Sequence, residues 1–313
     1  MSNKASQLST RRRSAPGGGD PSELIGEVSE AVRGRKPPWL KVKAAGGAGY
    51  LQLQEQIGAD DLRTVCQEAA CPNIGECWNS GTATFMILGD TCTRRCGFCN
   101  VKSGKPTFHD PLEGFRVAKQ VARMNLKHAV ITSVDRDDLP DYGASAFVDV
   151  MRQIRRQAPE CNVEILTPDF RGQEMPLAAV LQESPEVFNH NLEVVERLYP
   201  VARRGSTFNR SLRVLSNARM MAPKTLIKSG LMVGLGEDAT EVEACMEKIQ
   251  QAGVQILTVG QYLRPSEEHL PVVRYWHPDE FKSLAVSGKA MGFRHVEAGP
   301  LVRSSYHAAE QVG

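Results

Sequence analysis

From residue 82 onward, short apolar, β-rich runs alternate with amphipathic stretches, and this alternation limits the possible folds more than any other feature of the chain. The runs are TATFMIL (82–88), HAVITSV (128–134), NVEILTP (162–168), EVFNHN (186–191), GLMVGL (230–235) and QILTVGQYL (255–263). Between them lie LEGFRVAKQVARMN, ASAFVDVMRQIRRQ, NLEVVERLY and DATEVEACMEKIQQAG, which read as helices. Strands that alternate with helices pair in parallel, because each helix carries the chain back in a right-handed crossover. Six such βα units predict an α/β fold, an incomplete parallel (β/α)6 barrel, with a doubly wound sheet as the runner-up. In a barrel the chemistry collects on the loops at the C-terminal ends of the strands.

The loop after the first run is TCTRRCGFCN (91–100), with Cys92, Cys96 and Cys99. A second triplet, Cys66, Cys71 and Cys77, stands just before it in CQEAACPNIGEC (66–77), so six of the eight cysteines share one stretch. A long chain without an apolar leader is expected to keep its thiols reduced, and clustered thiols then bind metal or do redox work. The spacings are C-x3-C-x2-C and C-x4-C-x5-C, and only Cys96–Cys99 has the spacing of a zinc knuckle. Zinc in mixed thiolate sets is the competing assignment. Iron–sulfur clusters suit the compact spacing better. A four-iron cubane held by three cysteines keeps one iron open for a substrate or cofactor.

Composition closes off several classes. With 41% hydrophobic and 24% charged residues in 313, the chain can bury an ordinary core. A net charge of +2 is too balanced to argue for nucleic acid. No apolar run approaches the roughly 18 residues of a membrane span, so a cytoplasmic protein without nucleic-acid or membrane partners is expected. Residues 1–36 read as a mobile tail with one short helix at SELIGEVSEAVRGR. Residues 37–81 form an N-terminal extension that opens on KPPWLK, stiffened by Pro37 and Pro38. Residues 82–292 form the barrel, and residues 293–313 a C-terminal segment. Cys161 and Cys245 read as buried thiols. Arg94, Arg95, Lys102 and Lys105 read as a solvated basic face, with guidance of an acidic carrier as the second reading.

CTRRCGFC resembles the C-x3-C-x-aromatic-C signature of the radical S-adenosylmethionine (SAM) enzymes, with Phe98 at the aromatic position. Both cysteine motifs in this order, together with KPPWLK, TSVDRDDLPDYGA, GLMVGLGE and RSSYH (303–307), are similar to the lipoyl synthase family over about residues 36–307. The resemblance implies a barrel of radical SAM type, with the two extensions covering its open face. It also implies a sulfurtransferase that inserts two sulfur atoms, at C6 and C8 of a protein-bound octanoyl-lysine. Two 4Fe–4S clusters follow: one on Cys92, Cys96 and Cys99 that cleaves SAM, and an auxiliary one on Cys66, Cys71 and Cys77 that donates sulfur. The auxiliary cluster's fourth ligand, catalytic in releasing sulfur, falls on Ser305, with Ser304 the alternative. By analogy of fold, Phe98, Thr132, Ser133, Glu164, Asn191 and Gln261 contact SAM. The implied partners are octanoylated lipoyl domains of 2-oxoacid dehydrogenase complexes or the glycine-cleavage H protein, an electron donor such as flavodoxin or ferredoxin, and an iron–sulfur carrier that rebuilds the auxiliary cluster. A biotin synthase-like enzyme and a non-catalytic iron–sulfur carrier are the rival readings.

Overall fold

The computed structural model describes residues 24–27, 29, 32, 36–41, 46, 55, 64, 73–74, 83–107 and 110–311. Seven parallel strands form one sheet, hydrogen-bonded in the order β1-β4-β5-β6-β7-β8-β9. They are β1 Thr84–Ile87, β4 His128–Ser133, β5 Asn162–Leu166, β6 Val187–Asn189, β7 Leu226–Val233, β8 Ile256–Gln261 and β9 His295–Gly299. Between β1 and β4, two short strands, β2 Thr91–Cys92 and β3 Lys102–Ser103, pair with each other in parallel and bracket the cysteine loop. Helices α1 Glu113–Arg123, α2 Ala144–Gln157, α3 Glu174–Gln182, α4 Tyr199–Ala202, α5 Phe208–Met221, α6 Ala239–Gln251 and α7 Pro278–Ala290 connect the strands. In α2, Phe147, Val150, Met151 and Ile154 are all buried. That i, i+3, i+4, i+7 stripe is what seats a helix on a sheet. Asp238 caps α6 and pairs reciprocally with Glu241, which fixes where that helix starts.

The sheet carries one strand more than the six predicted. β9 is short and ends in glycine, and only Val296 of its five residues is fully buried, so its sequence lacks the apolar run of a central strand. It lies within residues 293–313, which the sequence reading gave to a C-terminal segment. A second difference concerns NLEVVERLY. Its apolar residues fall at helical spacing, but Glu193 adopts a left-handed conformation (φ 72°) and Pro200 follows. Only a 3-10 turn at Glu196–Leu198 and the four-residue α4 form there, and the crossover after β6 is completed by α5, whose N-cap Thr207 accepts from Arg210 N.

β1 and β9 are the two edges of the sheet. Two contacts from the N-terminal extension reach them. Thr64 forms an antiparallel bridge with Phe85 of β1, and Asn73 Nδ2 donates to Leu301 O, just beyond β9, at 2.7 Å. The described part of the first 36 residues also lies against the barrel. Ile25 is buried in the core, and Ser29 N donates to Val273 O at 3.0 Å. At least this portion of the expected mobile tail is therefore docked. Among the described residues no helix is long and apolar enough to cross a membrane.

Candidate active site at the strand ends

One cavity of about 280 Å³ opens at the C-terminal ends of the strands, lined from β1 (Met86), β4 (Thr132, Ser133), β5 (Leu166), β7 and β8. The sheet therefore curls around a shared centre. Glycine makes room for it: a Cβ on Gly230 would stand 2.8 Å from both Asn191 Oδ1 and Thr258 Oγ1.

Cys92, Cys96 and Cys99 all line this cavity and are free thiols. Backbone contacts fix their loop. Thr93 N and Oγ1 both donate to Asp135 O at 3.0 and 2.9 Å. Gly97 N donates to Ala202 O at 2.8 Å, and Leu270 N donates to Gly97 O at 2.9 Å. Gly97 cannot be larger, since a Cβ would lie 2.9 Å from Val201 O and Leu270 Cγ. Burial and then the Asp135 carboxylate push the Cys92 thiol up to about 12, and burial raises Cys96 and Cys99 too. Thiols held protonated in this way become ligands only when a metal displaces their protons.

Among the described residues, no three His, Cys, Asp or Glu side chains are placed to share a single metal ion. Structural zinc needs its ligands around one centre at about 2.0–2.3 Å. A cubane makes a different demand, because each thiolate binds a different iron. Three separated thiols facing one cavity fit it.

The arginine within the motif is not on the surface. Arg94 is 6% exposed. It grips Asp137 with two hydrogen bonds of 2.8 Å, reaches Asp169 at 2.6 Å and lies 3.2 Å from Asp135. This cage ties the cysteine loop to the loops after β4 and β5. Burial alone would raise the Asp169 carboxyl, but Arg94 and Ser206 hold it well below the usual carboxylate range. Asp135 is pushed upward by its burial. Arg95, Lys102 and Lys105 are exposed, so the basic face predicted for four residues loses Arg94. Removing one partner of a buried charge network costs about 3–5 kcal/mol. Arg94→Met is therefore expected to lower stability by about that much, seen as a fall in the midpoint of chemical unfolding, while Arg95→Met leaves the midpoint nearly unchanged.

Of the residues predicted to contact SAM, Phe98, Thr132, Ser133 and Asn191 line the cavity. Glu164 does not. It is 1% exposed and sits one layer beneath, with Lys228 Nζ at 2.9 Å and Asn189 Nδ2 at 3.0 Å. Gln261 faces away from the cavity: its amide donates to the carbonyls of Val233, Tyr262 and Arg274 and accepts from Trp276 N. None of the charged lining residues, Arg94, Asp135, Glu193, Arg203 and Arg303, was predicted to contact SAM. Arg203 donates to Asn191 O and lies 3.2 Å from both Tyr199 Oη and Ser211 Oγ. Burial, and then Arg203, hold the neighbouring His190 down to about 3, so its ring is neutral. Cys161 and Cys245 are buried, as expected.

At the far rim, Val302, Arg303 and Ser304 line the cavity, while Ser305 sits half-buried in the following turn, outside the lining. Cys66, Cys71 and Cys77 lie outside the described residues. Their neighbour Asn73 is held against Leu301, four positions before Ser305.

A parallel partial barrel with three thiols on its first strand-end loop defines a radical SAM protein, and residues 86–249 match the model of the Radical SAM superfamily. The solved structures agree on the fold. Methylornithine synthase superposes with a TM-score of 0.52 at 12% identity, covering 88% of this chain and 85% of that one. The hydrogenase maturase HydG gives 0.54 at 14%, covering 72% and 58%. The sequence is 53% identical over 296 residues to the lipoyl synthase of Rubrobacter xylanophilus, spanning 95% of this chain and 92% of that protein. It is also 53% identical over 274 residues to that of Acidithiobacillus ferrooxidans, spanning 87% and 86%. The chain belongs to the lipoyl synthase family.

Proposed function

We propose that this chain makes the lipoyl group on an octanoylated carrier domain, with SAM bound in the strand-end cavity and the octanoyl chain entering between the cysteine loop and the RSSY segment. The observation that carries the reading is that a single cavity is lined both by Cys92, Cys96 and Cys99 and by Val302, Arg303 and Ser304. Cys92, Cys96 and Cys99 hold the SAM-cleaving cluster; Cys66, Cys71, Cys77 and Ser305 hold the auxiliary one, within residues 37–81 and the C-terminal segment. When bound, the two clusters supply reductive cleavage of SAM at one site and sulfur at the other.

The chain's own residues position the reactants. Thr132, Ser133 and Asn191 offer hydroxyl and amide groups to the polar end of SAM, and Phe98 walls the cysteine loop. Arg203, fixed by Asn191, Tyr199 and Ser211, presents a cation to a carboxylate. Glu193 faces the same space, and burial raises its carboxyl above the usual range. Met86, Val134, Leu166 and Leu231 give the cavity an apolar wall that suits an alkyl chain and excludes water from it. Partners follow from this role: lipoyl domains of 2-oxoacid dehydrogenases or the glycine-cleavage H protein, a flavodoxin or ferredoxin as reductant, and a cluster-rebuilding carrier, all in the cytoplasm.

The test is anaerobic reconstitution, addition of an octanoyl-lysine peptide with SAM and reductant, and mass analysis. The expected product carries two added sulfur atoms, and its sulfur shows any isotope pre-loaded into the clusters. Unlabelled product from a fully labelled protein would remove the auxiliary cluster as donor. Turnover of SAM without any sulfur added to the peptide would point to another substrate.

A further inference from the structure

We infer that His269 is a positioning residue for the iron–sulfur loop, acting through a hydrogen bond from its imidazole Nε2–H to the backbone carbonyl of Cys99. The inference rests on Cys99 being a cluster ligand.

The segment that follows β8 runs back over the cysteine loop. Leu270 N donates to Gly97 O, and Tyr262 Oη donates to Leu270 O at 2.9 Å, which holds the strap down. Next to Leu270, His269 Nε2 lies 3.0 Å from Cys99 O. A carbonyl oxygen can only accept, so Nε2 carries the proton and, in the neutral ring, Nδ1 is left as an acceptor. Ser266 Oγ lies 2.9 Å from Nδ1. Ser266 Oγ also accepts from Glu268 N at 3.3 Å, which leaves its own proton for Nδ1. The backbone is pinned as well: His269 N donates to Ser266 O at 3.1 Å, and Arg264 Nε donates to His269 O at 3.0 Å. Four hydrogen bonds within residues 264–269 thus set one tautomer and one ring orientation, and the remaining donor points at a ligand's peptide.

Residues 264–268 are exposed, so this wiring does not serve the core. Among the described residues, its one contact that reaches the barrel through the imidazole is Cys99. Outer contacts of this kind orient ligands and tune the metal they hold. Cluster potentials depend on hydrogen bonding and solvent exposure near the ligands. A donor at the Cys99 carbonyl brings the positive end of an N–H dipole toward the cluster and favours the reduced state. Its loss is expected to make reduction harder.

The test uses reconstituted holoenzyme in native, His269→Leu, His269→Gln and Ser266→Ala forms. Each is poised at fixed potentials and read by electron paramagnetic resonance, with the SAM-cleaving cluster recognised by the change of its signal on adding SAM. His269→Leu is expected to cut the ratio of reduced to oxidised cluster about tenfold at a given potential, equal to about 59 mV for a one-electron couple. His269→Gln, which keeps a donor near the same place, is expected to recover most of it, with Ser266→Ala between the two. An unmoved potential in His269→Leu overturns the inference. If His269→Leu loses iron, full iron in His269→Gln supports the hydrogen bond, and loss in both overturns it in favour of packing. A native protein with no SAM-responsive signal would remove the ligand reading and the inference together, an outcome distinct from all of these.

Discussion

Replacing Cys92, Cys96 and Cys99 together by alanine is expected to remove about half of the iron and all SAM cleavage. Native protein reconstituted without oxygen should carry about eight irons per chain, from two cubanes of four. The two triplets lie on different parts of the chain. The barrel triplet runs from Cys92 at the end of β2 into the loop before β3, and the other belongs to the extension that meets the barrel at Phe85 and Leu301. Loss of one set therefore leaves the other able to load. Three alanines also shorten three half-buried thiols in a loop held by backbone contacts from Asp135, Ala202 and Leu270, so the barrel should still fold. Iron analysis and the yield of 5′-deoxyadenosine read the two effects separately. Full iron in the triple variant, or stoichiometric zinc in the native protein, would contradict the assignment.

Changes at Ser305 are expected to uncouple SAM cleavage from sulfur insertion. An alkoxide or hydroxyl oxygen is a harder and poorer partner for a cubane iron than a thiolate. Ser305→Cys should hold that iron more tightly, keep both clusters, and slow insertion sharply while 5′-deoxyadenosine continues to form. Ser305→Ala should also impair insertion, by exposing the iron to other ligands. Because Ser304 and not Ser305 lines the cavity, the comparison needs Ser304→Ala as well. The measurement is lipoyl product formed per 5′-deoxyadenosine. Loss of coupling only in Ser304→Ala would move the ligand one residue back; unchanged coupling in all three variants would remove serine from the mechanism.

The strands β1 and β4–β8 were legible because each is buried on both faces around a short apolar core, although β7 opens at Leu226, ahead of the predicted run at 230–235, where Lys228 and Ser229 break the apolar pattern. The thiol loop was legible because cysteine spacing is local. What escaped the sequence was set by contacts distant along the chain. Glu164 was expected at a strand end, and its parity is right, since it lies on the same side of β5 as Leu166. The register places it opposite Val130, two residues below Thr132, so it falls in the layer under the cavity. For Gln261 the depth is right and the face is wrong: Thr258 and Gly260 look inward, and the next residue must look out. Arg94 reads as one more exposed base until the loops after β4 and β5 bring Asp135, Asp137 and Asp169 around it. The acidic loop DRDD was visible, but nothing local says which cation it encloses. Helix α5 is half polar, and only Phe208, Ser211, Val214, Leu215 and Ala218 are buried, which left the false helix at NLEVVERLY as the stronger pattern.

β1 is an edge strand of the sheet, yet all four of its residues are buried. An open parallel edge exposes a row of backbone donors and acceptors that invites pairing with other chains. In this chain Thr64 meets that row at Phe85. Thr64, two residues before Cys66, therefore covers that edge at one point. Trimming the chain past Cys77 to obtain a minimal barrel would remove the three cysteines proposed for the auxiliary cluster together with this cover of the β1 edge.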